Sequence, residues 1–504
     1  MRNKKLIPNF LIFFMMILGS FILSRSIPFT LKSSVPENPK VIADPLDFYR
    51  TNLITDQHAS LVDFQNATRY EIELKIDESL TSFSGHQDVY YLNNEDIDLK
   101  EIYFCLNPNT GGDYLTVENI RIDNAQVKAA FAYERSALKI ALNEPLPPGD
   151  AITISMDFSG TVPEEMGGNY GLYLYQDDIL SLDSFFPIIP VYNEDGWNVK
   201  DPPHNADLIY SDAAFFKVSI DAPKSLVLVA SGIEVDKQTI KDRQIITFAG
   251  GPQRDFYLAA SPRFHNAGTR EGEVKVTSYY PKEFSQSGEL VLETAVNALR
   301  IFSKRFGPYP YTEFDLVSTP MQAGGMEYSG AAAMALGLYD SGFTAGGSSN
   351  SGFLELATVH EAAHQWFFNQ VMSDQIDEPW LDESLAQYLT YVYYLDTYGP
   401  EAADQILALF DRYWARAGKQ LIPIGKPADD YDAAEYAAII YGRAPLFILE
   451  LEKKIGKEKF TNFLADYVSI YRWKTANTQQ FKSLAQETCR CDLTDLFDTW
   501  WAYY

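Results

Sequence analysis

The sequence predicts an α+β multidomain protein, in which an N-terminal antiparallel β-sandwich precedes a mainly helical region. Two observations support this fold class. Between residues 61 and 260, short alternating segments such as residues 70–76 and 216–220 follow one another without helical periods between them, which is typical of a sandwich. From residue 261 to residue 504 helical spacing dominates, first in residues 290–306, which end at Gly307-Pro308. We therefore predict domains at residues 61–260 and 261–504.

The first 25 residues carry an export pattern. Arg2, Lys4 and Lys5 precede an apolar run over residues 10–23, which fits both a cleaved secretory signal and a retained membrane anchor. The basic residues keep the N-terminus inside and direct the rest of the chain outside the cytoplasm. Residues 26–60 contain four prolines and little periodicity, which predicts a linker or a loosely draped arm.

Composition excludes one class of partner. With 41 Lys and Arg against 68 Asp and Glu, the formal net charge is −27, and nucleic-acid binding depends on clustered positive charge. We therefore predict no nucleic-acid partner and an acidic surface. The three cysteines, Cys105, Cys489 and Cys491, are too few for a disulfide framework, and we expect free or loosely paired thiols.

Residues 360–364 indicate a metal site. His360 and His364 are four residues apart, so on a helix they share a face and can bind one ion. Glu361 is rotated about 100° from His360, beside the ion, where a base can take a proton from water. Eighteen residues separate His364 from Glu383, so we expect Glu383 to come from a second helix as the third ligand.

Three protein ligands with an open fourth position are typical of a catalytic zinc. We predict one Zn²⁺ per chain, bound by His360, His364 and Glu383, with Glu361 as the general base. Zinc lowers the pKa of its water and polarises a carbonyl, so the site predicts hydrolysis of an amide. The site alone also allows hydrolysis of another kind of bond.

Longer stretches resemble the aminopeptidase N and leukotriene hydrolase family of gluzincin metallopeptidases, over about residues 60–504. Upstream of the histidines, Gly324-Gly325-Met326-Glu327-Tyr328 is similar to the family's exopeptidase motif, Gly-x-Met-Glu-Asn. The other stretches that carry the resemblance are Val359-His360-Glu361-Ala362-Ala363-His364-Gln365-Trp366-Phe367, Trp380-Leu381-Asp382-Glu383-Ser384-Leu385-Ala386 and Phe306-Gly307-Pro308-Tyr309-Pro310-Tyr311.

The resemblance implies a thermolysin-like catalytic domain with a small sheet after the β-sandwich. It also implies a zinc-dependent aminopeptidase that cleaves the N-terminal bond of oligopeptides. Glu327 would bind the substrate's α-amino group, and Tyr441, in Tyr441-Gly442-Arg443-Ala444, would stabilise the oxyanion. Backbone pairing with the peptide as an added strand would come from Gly324, Gly325 and Met326.

The chain departs from the family pattern at several positions. Tyr328 replaces an Asn and Ser384 a Gly, both beside expected site residues, where a changed side chain can reshape the amino-terminal subsite. Arg443 and Ala444 replace a Lys and a Gly. The chain ends at Tyr504 without the large helical C-terminal domain of many relatives, which implies a more open cleft.

Two alternatives remain open from the sequence. An open cleft is also compatible with a zinc endopeptidase or oligopeptidase, which an acetylated peptide would distinguish from an aminopeptidase. An inactive peptide-binding scaffold is the second alternative, and the intact His360, Glu361, His364 and Glu383 argue against it. The sequence gives neither the preferred first residue of the substrate nor the oligomeric state.

Overall fold

The computed structural model of the chain describes residues 46–167, 170–200, 209–340, 342, 344–345 and 348–502. The predicted export segment and the first part of the predicted arm lie outside this range. From Leu46 onward the chain forms one compact unit. Within the described residues, no helix combines the length and the apolar character that crossing a membrane requires.

The N-terminal half is built from strands whose side chains alternate between buried and exposed. The pattern is clearest in the first strand, where every second residue of Arg69–Ile76 is buried, as a half-buried strand requires. The strands are β1 Arg69–Ile76, β2 Ser82–Leu92, β3 Leu99–Cys105, β4 Leu115–Ile122, β5 Ala125–Gln126, β6 Ala129–Ala132, β7 Ala137–Leu146, β8 Ala151–Thr161, β9 Tyr173–Gln176, β10 Ile179–Leu182, β11 Tyr192–Asn193, β12 Gly196–Trp197, β13 Ala214–Pro223, β14 Val227–Ala230, β15 Ile233–Ile240, β16 Arg243–Gln253 and β17 Leu258–Ser261.

These strands form an eight-stranded sheet in the order β15-β16-β13-β1-β2-β8-β4-β5, with smaller sheets β14-β17-β10-β9 and β3-β7-β6 beside it. Apolar side chains from the sheets form one core, which includes Ile72, Phe104 and Phe216. Pairing is antiparallel except between β1 and β13, which run parallel. The predicted antiparallel, β-rich N-terminal part is thus confirmed, with one parallel pair inside it.

The C-terminal half is mainly helical around a five-stranded sheet. The sheet has the order β18-β19-β20-β22-β21, so β21 lies at its edge. The bounds are β18 Phe264–Glu271, β19 Val274–Pro281, α1 Ser285–Phe306, β20 Glu313–Thr319, β21 Gly325–Tyr328, β22 Ala331–Ala335, β23 Thr344–Ala345, β24 Ser348–Ser349, α2 Asn350–Ala363, β25 Val371–Met372, α3 Pro379–Tyr398, α4 Pro400–Ala415, α5 Ala433–Ala438, α6 Ala444–Ile455, α7 Lys457–Tyr471, β26 Lys474–Thr475, α8 Thr478–Cys489 and α9 Thr494–Trp501.

This half confirms the predicted helical region with a small sheet. The first helix, α1, ends at Gly307, which has a positive φ of 103°, a conformation that favours glycine. Between α5 and α6, Ile439–Arg443 form a short π-helical turn. Helix α3 begins with Pro379 at its first turn, a position where the missing N–H of proline costs nothing.

The described part of the predicted arm is packed rather than loose. Residues Asp47–Asn52 and Thr55–Phe64 form two 3₁₀ helices. Leu46, Tyr49 and Leu61 are buried in the core of the C-terminal half, and burial of these apolar side chains stabilises the described segment. The backbone of Ile54 also donates to the carbonyl of Pro310 at 2.9 Å.

Cys489 and Cys491 form a disulfide, so the expectation of free or loosely paired thiols is wrong for this pair. Arg490 between them adopts a left-handed conformation at the end of α8. The resulting turn brings the two Cα atoms to 5.2 Å, within the range that a disulfide spans. Cys105 is a free thiol, and burial raises its pKa to about 12.

A buried polar pair joins the two halves. The Arg254 guanidinium donates to the carbonyl oxygens of Asn369 at 3.1 Å and Lys474 at 2.9 Å. The neighbouring Asp255 accepts a hydrogen bond from the backbone N–H of Ser329 at 2.9 Å. Both side chains are almost fully buried, so their hydrogen bonds fix the β-rich half against the residues that follow β21 and α2.

Candidate metal centre

Two helices supply the three predicted metal ligands. His360 lies in the last turn of α2 and His364 directly after it, where its N–H still bonds to the carbonyl of His360 at 3.3 Å. Glu383 lies in the second turn of α3. Apolar residues surround both segments, so all three side chains are buried.

The three side chains converge as the sequence predicts. Nε2 of His360 lies 3.1 Å from Nε2 of His364 and 3.1 Å from Oε2 of Glu383. Nε2 of His364 lies 3.7 Å from the same oxygen. Tetrahedral ligands with bonds of about 2.0–2.1 Å are roughly 3.3 Å apart. The donor set of two imidazoles and a carboxylate therefore fits one zinc ion.

Asp382 orients the second histidine. Nδ1 of His364 donates to Oδ1 of Asp382 at 2.6 Å and lies 3.0 Å from the carbonyl of Phe367. This hydrogen bond turns Nε2 towards the other ligands. The sequence pattern alone assigns Asp382 no role. The available signal was a carboxylate directly before the third ligand.

Burial lowers the pKa of an imidazole and neighbouring carboxylates raise it, and the balance differs between the two histidines. Burial lowers the pKa of His360 below its usual value, which favours the neutral form that binds metal. For His364, burial alone would lower the pKa, but Glu327, Asp382 and Glu383 outweigh it and raise the pKa well above its usual value. A metal ion that binds His364 therefore displaces a proton.

The predicted base lies between the metal ligands and the edge strand β21. Glu361 is buried on α2. A Cβ added to Gly325 would lie 2.5 Å from Oε1 of Glu361, whereas a Cβ at Gly324 would meet only Ala357 at 3.7 Å. Gly325 therefore allows the carboxylate to lie against the strand, and no such close approach involves Gly324.

The strand itself has the geometry predicted for pairing with a peptide. The backbone of β21 is bonded to β22 through the pairs from Gly325↔Met334 to Tyr328↔Ala331. Gly324 extends this pairing, because its carbonyl accepts from the N–H of Ala335 at 3.1 Å. No described strand pairs with the opposite edge of β21, so that edge can accept an extended peptide.

Glu327 lies close to the predicted base Glu361 and to the metal ligand His364. One ligand atom from each of Glu327, Glu361 and His364 lies within 4.8 Å of the others. The Glu327 side chain is buried, and its Oε1 accepts a hydrogen bond from Nε2 of Gln375 at 3.2 Å. Sequence reasoning missed Gln375, because no spacing pattern marks the loop before α3.

Tyr441 reaches the same centre from the π-helical turn. Its hydroxyl donates to Oε1 of Glu383 at 2.5 Å, and its ring centroid lies 6.1 Å from that of His360. A π turn inserts one residue into a helix and re-aims the side chains after it. The structure thus brings Tyr441, the three predicted ligands, Glu361 and Glu327 together, with Gly324, Gly325 and Met326 in or directly before the adjoining edge strand.

The side chains at the departures from the family pattern contact residues outside this site, and a reshaped amino-terminal subsite stays a prediction. Tyr328 stacks on Tyr257 with centroids 3.9 Å apart, on the face of β21 opposite Glu327. The hydroxyl of Ser384 donates to the carbonyl of Trp380 within α3. Arg443 donates to the carbonyl of Ile422 at 2.7 Å, and Ala444 begins α6.

Comparison with known proteins gives relatives with consistent names. Residues 290–500 match the peptidase family M1 domain. The chain is 27% identical over 391 residues to aminopeptidase M1-B of Oryza sativa subsp. japonica, an alignment that covers 73% of this chain and 42% of the relative. It is 22% identical over 413 residues to aminopeptidase N of Lactococcus lactis subsp. lactis, covering 77% and 46%. The chain spans about half the length of the curated relatives it matches.

Solved structures give the same fold. The M1 zinc metallopeptidase from Deinococcus radiodurans superposes with a TM-score of 0.63 at 19% identity, covering 86% of this chain and 93% of the other. A mutant of that protein bound to a Tyr-Ser-Ala substrate has the same TM-score. This chain therefore has the architecture of a two-part metallopeptidase of this type, with a β-rich part followed by a helical part.

Proposed function

Because this chain belongs to the aminopeptidase N family of zinc metallopeptidases, peptidase family M1, we propose that it is a zinc-dependent aminopeptidase. It hydrolyses the N-terminal peptide bond of oligopeptides and acts outside the cytoplasm. The observation that carries the proposal is the position of Glu327, on an edge strand, close to Glu361 and to the predicted metal ligand His364.

One zinc ion per chain is held by His360, His364 and Glu383. The fit rests on the spacing of the three ligand atoms, 3.1, 3.1 and 3.7 Å. Bound zinc supplies Lewis acidity, which makes water a stronger acid and polarises a carbonyl. The remaining steps belong to side chains of this protein.

Glu361 acts as the general base and then as the general acid. Its carboxylate takes a proton from the attacking water and delivers it to the leaving nitrogen. Gly325 allows this carboxylate to lie directly against the strand that aligns the substrate. The Tyr441 hydroxyl donates a hydrogen bond to the oxyanion that forms on the substrate carbonyl, after leaving its present partner Glu383.

Glu327 selects the first bond of the peptide. Its carboxylate pairs with the substrate's α-ammonium group, within 4.8 Å of ligand atoms of Glu361 and His364. An amino nitrogen is only about 2.5 Å from the carbonyl carbon of its own residue, and a further residue adds about 3.3–3.6 Å. This spacing favours hydrolysis after one residue and disfavours hydrolysis further along the chain.

Two matched substrates and two variants test the exopeptidase assignment. We expect cleavage of a free-amine peptide and no cleavage of its N-acetylated counterpart. Glu327→Gln should lower kcat/KM for the free peptide about 10- to 100-fold, because it removes a hydrogen-bonded charge partner. Glu355→Gln, on α2 but bonded to Tyr398, should have little effect. Equal cleavage of the acetylated peptide would instead support an endopeptidase or oligopeptidase.

Metal dependence is tested by chelation. Removing the ion should abolish hydrolysis, and one equivalent of zinc per chain should restore it. Glu361→Gln should bind zinc but lose nearly all activity. Full activity after chelation, or in Glu361→Gln, would exclude the proposed chemistry.

The location outside the cytoplasm rests on the basic and apolar pattern of residues 1–25. Fusing residues 1–45 to a reporter enzyme tests it, because the reporter should leave the cytoplasm. Replacing Arg2, Lys4 and Lys5 with Glu should reduce export. A reporter that stays in the cytoplasm would exclude this part of the proposal.

A further inference from the structure

The loop between α2 and α3 carries a buried glutamine that contacts two functional carboxylates. Nε2 of Gln375 lies 2.7 Å from Oδ2 of Asp382 and 3.2 Å from Oε1 of Glu327. Asp382 in turn accepts from Nδ1 of His364 at 2.6 Å. One continuous chain of hydrogen bonds therefore links the residue proposed to bind the substrate amine to a proposed zinc ligand.

The chemistry of the partners fixes the orientation of this amide. Ionised carboxylates accept hydrogen bonds and cannot donate them, so the nitrogen end of Gln375 faces both Glu327 and Asp382. Its Oε1 is buried and has no hydrogen-bond partner among the described residues. Within that part of the chain, the amide therefore makes its hydrogen bonds to these two carboxylates.

The loop holds Gln375 in place from both sides. Oδ1 of Asp374 accepts from the backbone N–H groups of Ile376 and Asp377, at 3.0 Å each. Oδ2 of Asp374 accepts from Nδ2 of Asn198 at 2.7 Å, and the carbonyl of Ile376 accepts from the N–H of Ala428 at 2.7 Å. Such support fixes a buried side chain before substrate arrives.

We propose that Gln375 is a positioning residue that couples the amine-binding carboxylate of Glu327 to the metal ligand His364 through Asp382. This inference rests on the proposed function for the role of Glu327. By holding both carboxylates with one amide, Gln375 sets their separation and orientation together. A change at the amine subsite is therefore transmitted to metal affinity, and the reverse also holds.

A double-mutant cycle on zinc affinity tests the coupling without substrate. The four full-length proteins are the wild type, Gln375→Met, Glu327→Met and the double variant, and zinc affinity is measured by competition with a chelator. Methionine removes the amide or the acceptor at similar length. Gln375→Met should weaken zinc binding more than twofold, because it removes a hydrogen bond from Asp382, the partner of the metal ligand His364.

If the two residues are coupled, the effects of the two substitutions on zinc affinity are not additive. The effect of Glu327→Met on zinc affinity should differ at least threefold between the wild-type and Gln375→Met backgrounds. Additive effects would overturn the proposal, as would zinc affinity of Gln375→Met within twofold of the wild type. If Gln375→Met does not fold, Gln375→Asn gives the same test, because its shorter amide cannot reach both carboxylates.

Gln87 is the matched control. It is a fully buried glutamine of β2 whose Nε2 donates to the carbonyl of Pro187 at 3.0 Å. Gln87→Met should leave zinc affinity unchanged, so an equal loss there would show a general effect of burying methionine and overturn the proposal.

Kinetics on a free-amine reporter peptide give the second readout. Gln375→Met should raise KM as well as lower kcat at saturating zinc, because Glu327 loses its fixed orientation. If no peptide is cleaved by the wild type, the proposed function fails. The double-mutant cycle on zinc affinity needs no substrate, so it still decides whether Gln375 couples the two carboxylates.

Discussion

At the residue scale, the two adjacent glycines Gly324 and Gly325 differ in the space that a side chain would have. A side chain at Gly325 would meet the carboxylate of Glu361 at 2.5 Å, whereas one at Gly324 would lie 3.7 Å from Ala357. We expect Gly325→Ala to lower kcat at least about tenfold, because a small displacement of the base is costly. Zinc affinity should change little, because none of the three ligands is displaced.

Gly324→Ala is the matched control and should retain most of the activity. Steady-state kinetics and zinc titration of both variants check the prediction. Equal losses in the two variants would indicate that the backbone of the edge strand, and not the space beside Glu361, limits the rate.

The role of Asp382 is not indicated by the sequence pattern and comes from the structure. Its carboxylate accepts from Nδ1 of His364 at 2.6 Å and leaves Nε2 available for the ion. Asp382→Ala should weaken zinc binding about 10- to 100-fold, measured by competition with a chelator. The neighbouring Ser384→Ala removes only a hydrogen bond within α3 and should bind zinc normally. Unchanged affinity in Asp382→Ala would contradict an orienting role.

At the scale of elements, the π-helical turn at Ile439–Arg443 positions Tyr441. The turn packs tightly on α4, where a Cβ at Gly442 would lie 2.6 Å from the backbone nitrogen of Trp414. Tyr441→Phe should lower kcat about 10²- to 10³-fold, as loss of an oxyanion donor does, with little change in the melting temperature.

Gly442→Ala should lower both kcat and the melting temperature, because it displaces the turn from α4. The two variants therefore separate the hydroxyl from the element that carries it. Normal kcat in Tyr441→Phe would assign oxyanion stabilisation to another group.

Regular elements were predictable because their side chains follow a local period. The four-residue spacing of His360 and His364 predicts their shared helix face, and the alternation in residues 70–76 predicts β1. The roles of Gln375 and Tyr441 depend on a loop and a π turn, whose geometry comes from contacts distant in sequence. The resemblance to a family located Tyr441, and no local pattern located Gln375.

At the scale of the whole molecule, the β-rich half is tied to the site through the segment that follows it. Arg254 and Asp255 come directly after β16 and bond to Asn369, Lys474 and Ser329. Ser329 follows β21, so this contact lies at the end of the strand that carries Glu327. The position of the amine subsite therefore depends on the packing of one half against the other.

Asp255 makes that junction sensitive to pH. Burial is the main cause that raises its pKa from 3.8 to about 7, so the folded protein retains a proton that the unfolded chain releases. Because the folded pKa exceeds the unfolded one, the contribution to stability is fully present below about pH 3.8. It decreases as the pH rises to about 7, by at most about 4 kcal/mol.

Asp255→Asn should remove this part of the pH dependence. The amide oxygen can still accept from the N–H of Ser329, and the group carries no ionisable proton. Asp183 and Asp315 also have raised pKa values, so the test compares the variant with the wild type at each pH. Denaturant unfolding should show the variant gaining stability relative to the wild type between pH 4 and pH 7. A constant difference across this range would mean that Asp255 is already ionised in the folded protein.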